Sequence, residues 1–192
     1  MRLRPIPADD LDTQQRELHR DMSEVIDAHF GDLVARRSDG ALLGPFNGWL
    51  HFPHFGGPAW TLNRSLWEHA VLPGPIHQLV ILVTAAKFGA RYEMYGHEYF
   101  AAQAGLAPNK IATVAGGERP VDLTPDECVA YDMARALNRG GPLPESTYQA
   151  AVARLGESGA AEITFLVGCF SLVAVTLNAF EASVPGREEP IF

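Results

Sequence analysis

A chain of 192 residues, 47% hydrophobic and 20% charged, can bury the core of one domain, and its composition excludes wholesale disorder. Fifteen Lys and Arg against 23 Asp and Glu leave a net charge of −8, which argues against nucleic acid as a partner. Two cysteines far apart in sequence, Cys128 and Cys169, exclude a disulfide scaffold and a cysteine zinc site.

The start, Met1-Arg-Leu-Arg-Pro5, runs into Asp9 and Asp10 without the apolar run of a secretory signal, so a cytoplasmic protein is expected. Good helix formers and apolar spacing at Leu11, Leu18, Met22, Val25 and Ile26 predict a leading helix from about Ala8 to His29. A loop with Gly31, Gly40, Gly44 and Pro45 follows. Phe46 to His54 reads as a helical turn that leads into a helix from about Pro53 to Ala70. Pro73-Gly-Pro75 stops it and opens an apolar helix from Ile76 to Phe88, which Gly89 ends. Further helices are expected over Arg91–Ala104, Pro108–Ala115 and Asp126–Leu137, the last behind the capping box Thr124-Pro-Asp-Glu127.

Gly140-Gly141 and Pro142 precede a helix from about Pro144 to Leu155, and Gly156 and Gly159 separate it from the apolar run Ile163–Phe180. That run has the minimum length of a membrane span. Polar interruptions and flanking Glu162 and Glu181 instead favour the central rod of a bundle, with no membrane partner. The tail after Pro185 reads as loose. The class is all-α and the organisation a single domain, with residues 1–45 an N-terminal helix and loop extension and 46–182 the core.

The informative helix is Arg91-Tyr-Glu-Met-Tyr-Gly-His97. At 100° per residue Glu93 and His97 share a stripe with Phe100, Ala101 and Ala104, so a carboxyl and an imidazole must face the core together. An unpaired polar group there costs about 1–3 kcal/mol, so the two must bond each other, a third group, water or a ligand. A carboxylate one turn away favours the imidazolium, giving a proton-trading pair beside a void for a small molecule. The same pattern fits a satisfied core pair that only fixes helix packing. Gln78 is the natural third partner, and the turn at Gly89 brings it closer to His97 than to Glu93. Arg91 and Arg64 could meet an anionic substrate. His51-x-x-His54 could add metal ligands to Glu93 and His97, but nothing else in the spacing supports a metal. The pair reads rather as a pocket wall, beside aromatic residues such as Trp49 that could line a cleft or simply fill the core.

These residues resemble the carboxymuconolactone decarboxylase family, which is also the alkylhydroperoxidase D (AhpD-like) superfamily. The segments that carry the likeness are Gly44-Pro-Phe-Asn-Gly-Trp-Leu50, Gln78-Leu-Val-Ile-Leu82, Arg91-Tyr-Glu-Met-Tyr-Gly-His97 with Ala104-Gly-Leu106, and Thr176-Leu-Asn-Ala-Phe180. The resemblance implies a helical bundle around a central hairpin, assembled as trimers or hexamers. It implies catalysis by Glu93, His97 and Gln78 without metal or organic cofactor, and substrate contacts from Tyr92, Arg91, Trp49, His51 and His54. The peroxidase branch carries a Cys-x-x-Cys, whose positions fall here on Ala90 and Glu93, so its thiol chemistry is not expected. The decarboxylase branch has Glu and His at Glu93 and His97. It implies a lyase or isomerase step on a small carboxylate or lactone, with His97 as the acid and Glu93 as its orienting base. AhpD-like peroxidase activity with another thiol, and a non-catalytic binding or assembly role, are the alternatives.

Overall fold

The computed structural model describes residues 1–186. Among them a 3₁₀ turn (Ala8–Asp10) precedes eight helices, and the one trace of β structure is a lone bridge between Arg36 and Leu42. The helices are α1 (Thr13–His29), α2 (Pro45–His51), α3 (Pro53–Glu68), α4 (Gly74–Phe88), α5 (Arg91–Gln103), α6 (Pro108–Ala115), α7 (Pro125–Leu137) and α8 (Glu145–Ala179). The class is all-α, as the breakers predict.

One boundary moves for a clear reason. The leading helix begins at Thr13 and not near Ala8, because Asp12 and Gln15 form a capping box. Asp12 Oδ1 accepts from the Gln15 amide at 2.8 Å, and Gln15 Oε1 accepts from the Asp12 amide at 2.9 Å. Those bonds hold Asp12 extended and cut the 3₁₀ turn from α1. At the other end of the chain, the two expected C-terminal helices form one element, α8, interrupted at Gly156 with φ 72° and ψ 170°. Only glycine takes that backbone without strain.

The described chain forms two compact units, Met1–Arg64 with residues 175–186, and Ser65–Ala174. In the first, Phe46 stands edge-on to Trp49 at 5.7 Å and to Trp60 at 5.9 Å. Asp21 on α1 joins α1 to α3, accepting from Trp60 Nε1 at 2.5 Å and from Arg64 Nη1 at 2.5 Å. Gly56 lies against the Trp49 backbone, where a Cβ would meet the Trp49 oxygen at 2.3 Å.

The second unit is organised by α4, which packs against α5, α6 and α7. Leu79, Val80, Ile81 and Leu82 are buried in succession, so α4 is apolar on every side and must be central. Gly89 takes the left-handed conformation (φ 59°, ψ 32°), and the Ala90 amide bonds back to the Ala85 oxygen at 3.0 Å. Two residues therefore suffice to reverse the chain from α4 into α5.

The contact at Gly56 yields a paired prediction. Gly57 has open space where its Cβ would stand, although it neighbours Gly56 in the same helix. Gly57→Ala should raise the urea midpoint, by up to about 1 kcal/mol of helix propensity. Gly56→Ala should lower it by about 1–3 kcal/mol, because backbone and not a flexible side chain occupies the space.

Candidate functional site

The site begins with two short-range instructions: the proline-flanked start that places Gln78 in the opening turns of α4, and the Gly89 turn that lays α5 back along it. The His97 ring donates from Nδ1 to Gln78 Oε1 at 2.8 Å, nineteen positions away in sequence. Gln78 is thus the partner of His97, as the antiparallel geometry predicts. The ring stands edge-on to Phe170 at 4.9 Å and tilted to Phe100 at 5.7 Å.

Glu93, one turn before His97, is 2% exposed, and neither carboxyl oxygen has a hydrogen-bond partner among the described residues. Burial pushes its pKa well above the ordinary carboxylate range and so favours the neutral acid. His97 moves the opposite way. Burial first, and the charge on His77 second, lower it to about 3, so the ring is neutral. With Nδ1–H committed to Gln78, Nε2 carries the free lone pair.

This corrects the expected pair. Glu93 and His97 do not hold each other as carboxylate and imidazolium, because ionising either one in a dry interior costs more than an unbonded neighbour returns.

A second couple went unseen in the sequence. His77 Nδ1 bonds Glu162 Oε1 at 2.7 Å, both residues being buried. The other Glu162 oxygen accepts from the Val71 amide at 2.6 Å and the Leu72 amide at 2.9 Å. Glu162 had read as a flank of an apolar run. Its spacing to buried Leu166, Cys169 and Val173 on α8 was the available signal that it faces inward.

The remaining candidates are placed variously. Tyr92 is buried, its hydroxyl has no partner among the described residues, and burial followed by the neighbouring Tyr95 pushes its pKa up. Arg91 is exposed at the first position of α5. Arg64 is not a free cation, since Asp21 holds it. In the first unit Trp49 belongs to the aromatic cluster, the His51 ring bonds the Arg4 oxygen at 2.8 Å, and His54 is exposed near the start of α3. Among the described residues no three His, Cys, Asp or Glu side chains are grouped to hold a metal. Cys128 on α7 and Cys169 on α8 form no disulfide, and neither is on the helix that carries His97.

No family model and no curated protein matches the sequence. Solved structures do match in shape. A peroxidase-related alkylhydroperoxidase AhpD core from Ralstonia eutropha superposes with a TM-score of 0.78 at 16% identity, covering 96% of this chain and 92% of that one. The fold is AhpD-like. A variant of the debrominase Bmp8 in complex with 2,3,4-tribromopyrrole gives a TM-score of 0.71 at 15% identity over 97% of this chain and 92% of that chain. A protein of unknown function from Agrobacterium tumefaciens gives 0.65 at 14%, over 73% of this chain and 97% of that chain.

Two stability measurements follow. The unfolded Glu93 carboxyl releases its proton near 4.5 while the folded one keeps it to well above that, so stability falls as pH rises out of that range. The unfolded His97 ring takes a proton near 6.5 while the folded ring resists to about 3, so stability falls as pH drops between those values. Melting temperature against pH should lose its alkaline-side decline in Glu93→Gln and its acid-side decline in His97→Asn. Separately, Glu162→Ala strands His77 and two backbone amides, and should cost about 3–5 kcal/mol in urea unfolding.

Proposed function

We propose that this chain is a carboxymuconolactone-decarboxylase-like enzyme. It would run a cofactor-independent decarboxylation, or a related lyase or isomerase step, on a small carboxylate or lactone. The observation that carries the reading is the buried Glu93 carboxyl, without a partner and biased toward its neutral form, on the same helix face as a neutral His97 whose tautomer Gln78 sets. Structures seldom leave a buried carboxyl unsatisfied without a functional reason.

In the decarboxylation, the bond from the substrate carbon to its carboxylate breaks and carbon dioxide leaves. The electron pair stays on that carbon and spreads into the adjacent carbonyl as an enolate. Glu93 then gives its proton to the carbon and is left as a carboxylate, which water reprotonates. His97 Nε2 accepts a hydrogen bond from a substrate hydroxyl, or takes a proton from carbon when the step is an isomerisation. Gln78 is a positioning residue, since it acts through the ring. The apolar side chains around the ring keep the local dielectric low, which strengthens each of these interactions. A homo-oligomer, trimer or hexamer, and a cytoplasmic location belong to the same reading.

The alternative, peroxide reduction of the AhpD type, needs a thiolate nucleophile with a resolving partner. Ala90 and Glu93 stand at the positions where that branch has its thiols, and Cys169 is buried. A non-catalytic role would leave the unsatisfied carboxyl without a purpose.

A panel of lactone acids assayed for carbon dioxide release tests the proposal. Glu93→Gln and His97→Ala should each lower kcat by about 10²–10⁴-fold while the oligomer persists. Gln78→Ala should shift the pH profile of kcat more than KM. Peroxide reduction that survives Glu93→Gln and disappears in Cys128→Ser or Cys169→Ser would replace the acid–base reading with the redox one.

A further inference from the structure

The far end of α4 holds a cleft of about 270 Å³, the volume of roughly nine liquid waters, formed within the second unit. Lys87, Arg135 and Arg139 stand on its rim, and Val83, Val114 and Tyr131 form its apolar floor. No acidic side chain lines it. None of the three cations is held in an ion pair among the described residues. The nearest acid in sequence, Asp132, is bonded by Arg119 at 3.3 Å, and that guanidinium lies 5.5 Å from the Tyr131 ring centre. Asn138 completes the wall, with its amide donating to the Thr84 hydroxyl at 3.1 Å and the Ala134 oxygen at 2.9 Å.

The structural alternative is that these cations merely answer helix dipoles. Apart from Tyr131, which is mid-way along α7, the lining residues come from the last turns of α4, α6 and α7 or just beyond them. Three helix C-termini carry about −0.5 charge each, together roughly −1.5, while the rim carries three full positive charges. The cations exceed what the helix ends require, on a chain whose net charge is −8. Like charges crowded around an apolar floor repel one another, and an anion with an apolar body relieves that repulsion while covering the floor.

We propose that this cleft is a second small-molecule site, for an organic dianion that carries an apolar body: a phosphate monoester or a dicarboxylate. Two guanidinium groups suit either one, because both can grip two oxygens at once. The site is distinct from the reacting residues. Lys87 lies nine positions beyond Gln78 on α4, about 13 Å along the helix axis.

Calorimetric titration of the full chain decides the matter, with phenyl phosphate, phthalate, inorganic phosphate and benzyl alcohol as probes. At least one aromatic dianion should bind saturably, more tightly than inorganic phosphate or the neutral alcohol, and more weakly as salt is raised. The double variant Arg135→Gln/Arg139→Gln should lose at least about tenfold in affinity, one charge-assisted bond's worth. All three cations are exposed, so the double variant should melt with the parent; if it does not, Lys87→Gln carries the same comparison. Glu93→Gln should bind the probe as the parent does, which separates failure here from failure of the proposed reaction. No saturable binding by either aromatic dianion overturns the proposal. So do unchanged affinity in the folded cation variants, inorganic phosphate binding as tightly as phenyl phosphate, and loss of binding in Glu93→Gln.

Discussion

The second unit turns on a shortage of hydrogen-bond partners. One face of α5 carries a carboxyl and an imidazole into the interior, where the Gln78 amide bonds the imidazole and no described residue bonds the carboxyl. The amide oxygen accepts from Nδ1 and thereby fixes the tautomer. Nothing remains for Glu93, so its cheapest state is the neutral acid. The same scarcity keeps the ring neutral, since an imidazolium would need a second acceptor at Nε2 and a counter-charge. A carboxyl and an imidazole thus sit one helical turn apart without bonding each other.

The buried glutamates of the second unit show that environment, and not residue type, sets the outcome. Glu162 is satisfied by His77 and two backbone amides. Glu127 takes a bond from Lys110 at 2.6 Å and caps α7 through Thr124. Burial alone would raise its pKa, but those bonds outweigh it and the net direction is downward. Glu93 has no such bond. The first two can be read as architecture, because their partners account for them. The third is unaccounted for by architecture, which is why the chemistry is placed there.

The fold itself carries little information about the reaction. AhpD-like structures at 14–16% identity include a debrominase and a peroxidase-related protein, so one helical scaffold holds different chemistries. What distinguishes this chain is local: a buried Glu93 without a partner and a His97 ring held by Gln78.

Helix positions were legible in the sequence because their causes lie within about four residues. The capping box at Thr124, the left-handed Gly89 and the break at Gly156 all appear where the residues place them. The start of α1 follows the Asp12–Gln15 box and not the longer apolar pattern, because the cap satisfies the first helical amides locally. The pairing of Gln78 with His97 was also within reach, since a tight turn determines which ends of two helices meet. Protonation states were not, because they depend on how completely water is excluded, a property of the whole packed interior. Nor was the bond from His77 to Glu162, whose partners are 85 positions apart and meet only once α8 is packed. Sequence by itself settled which residues share a helix face; tertiary structure decided which of them found a partner and which was left without one, because partners distant in sequence meet only in the packed interior.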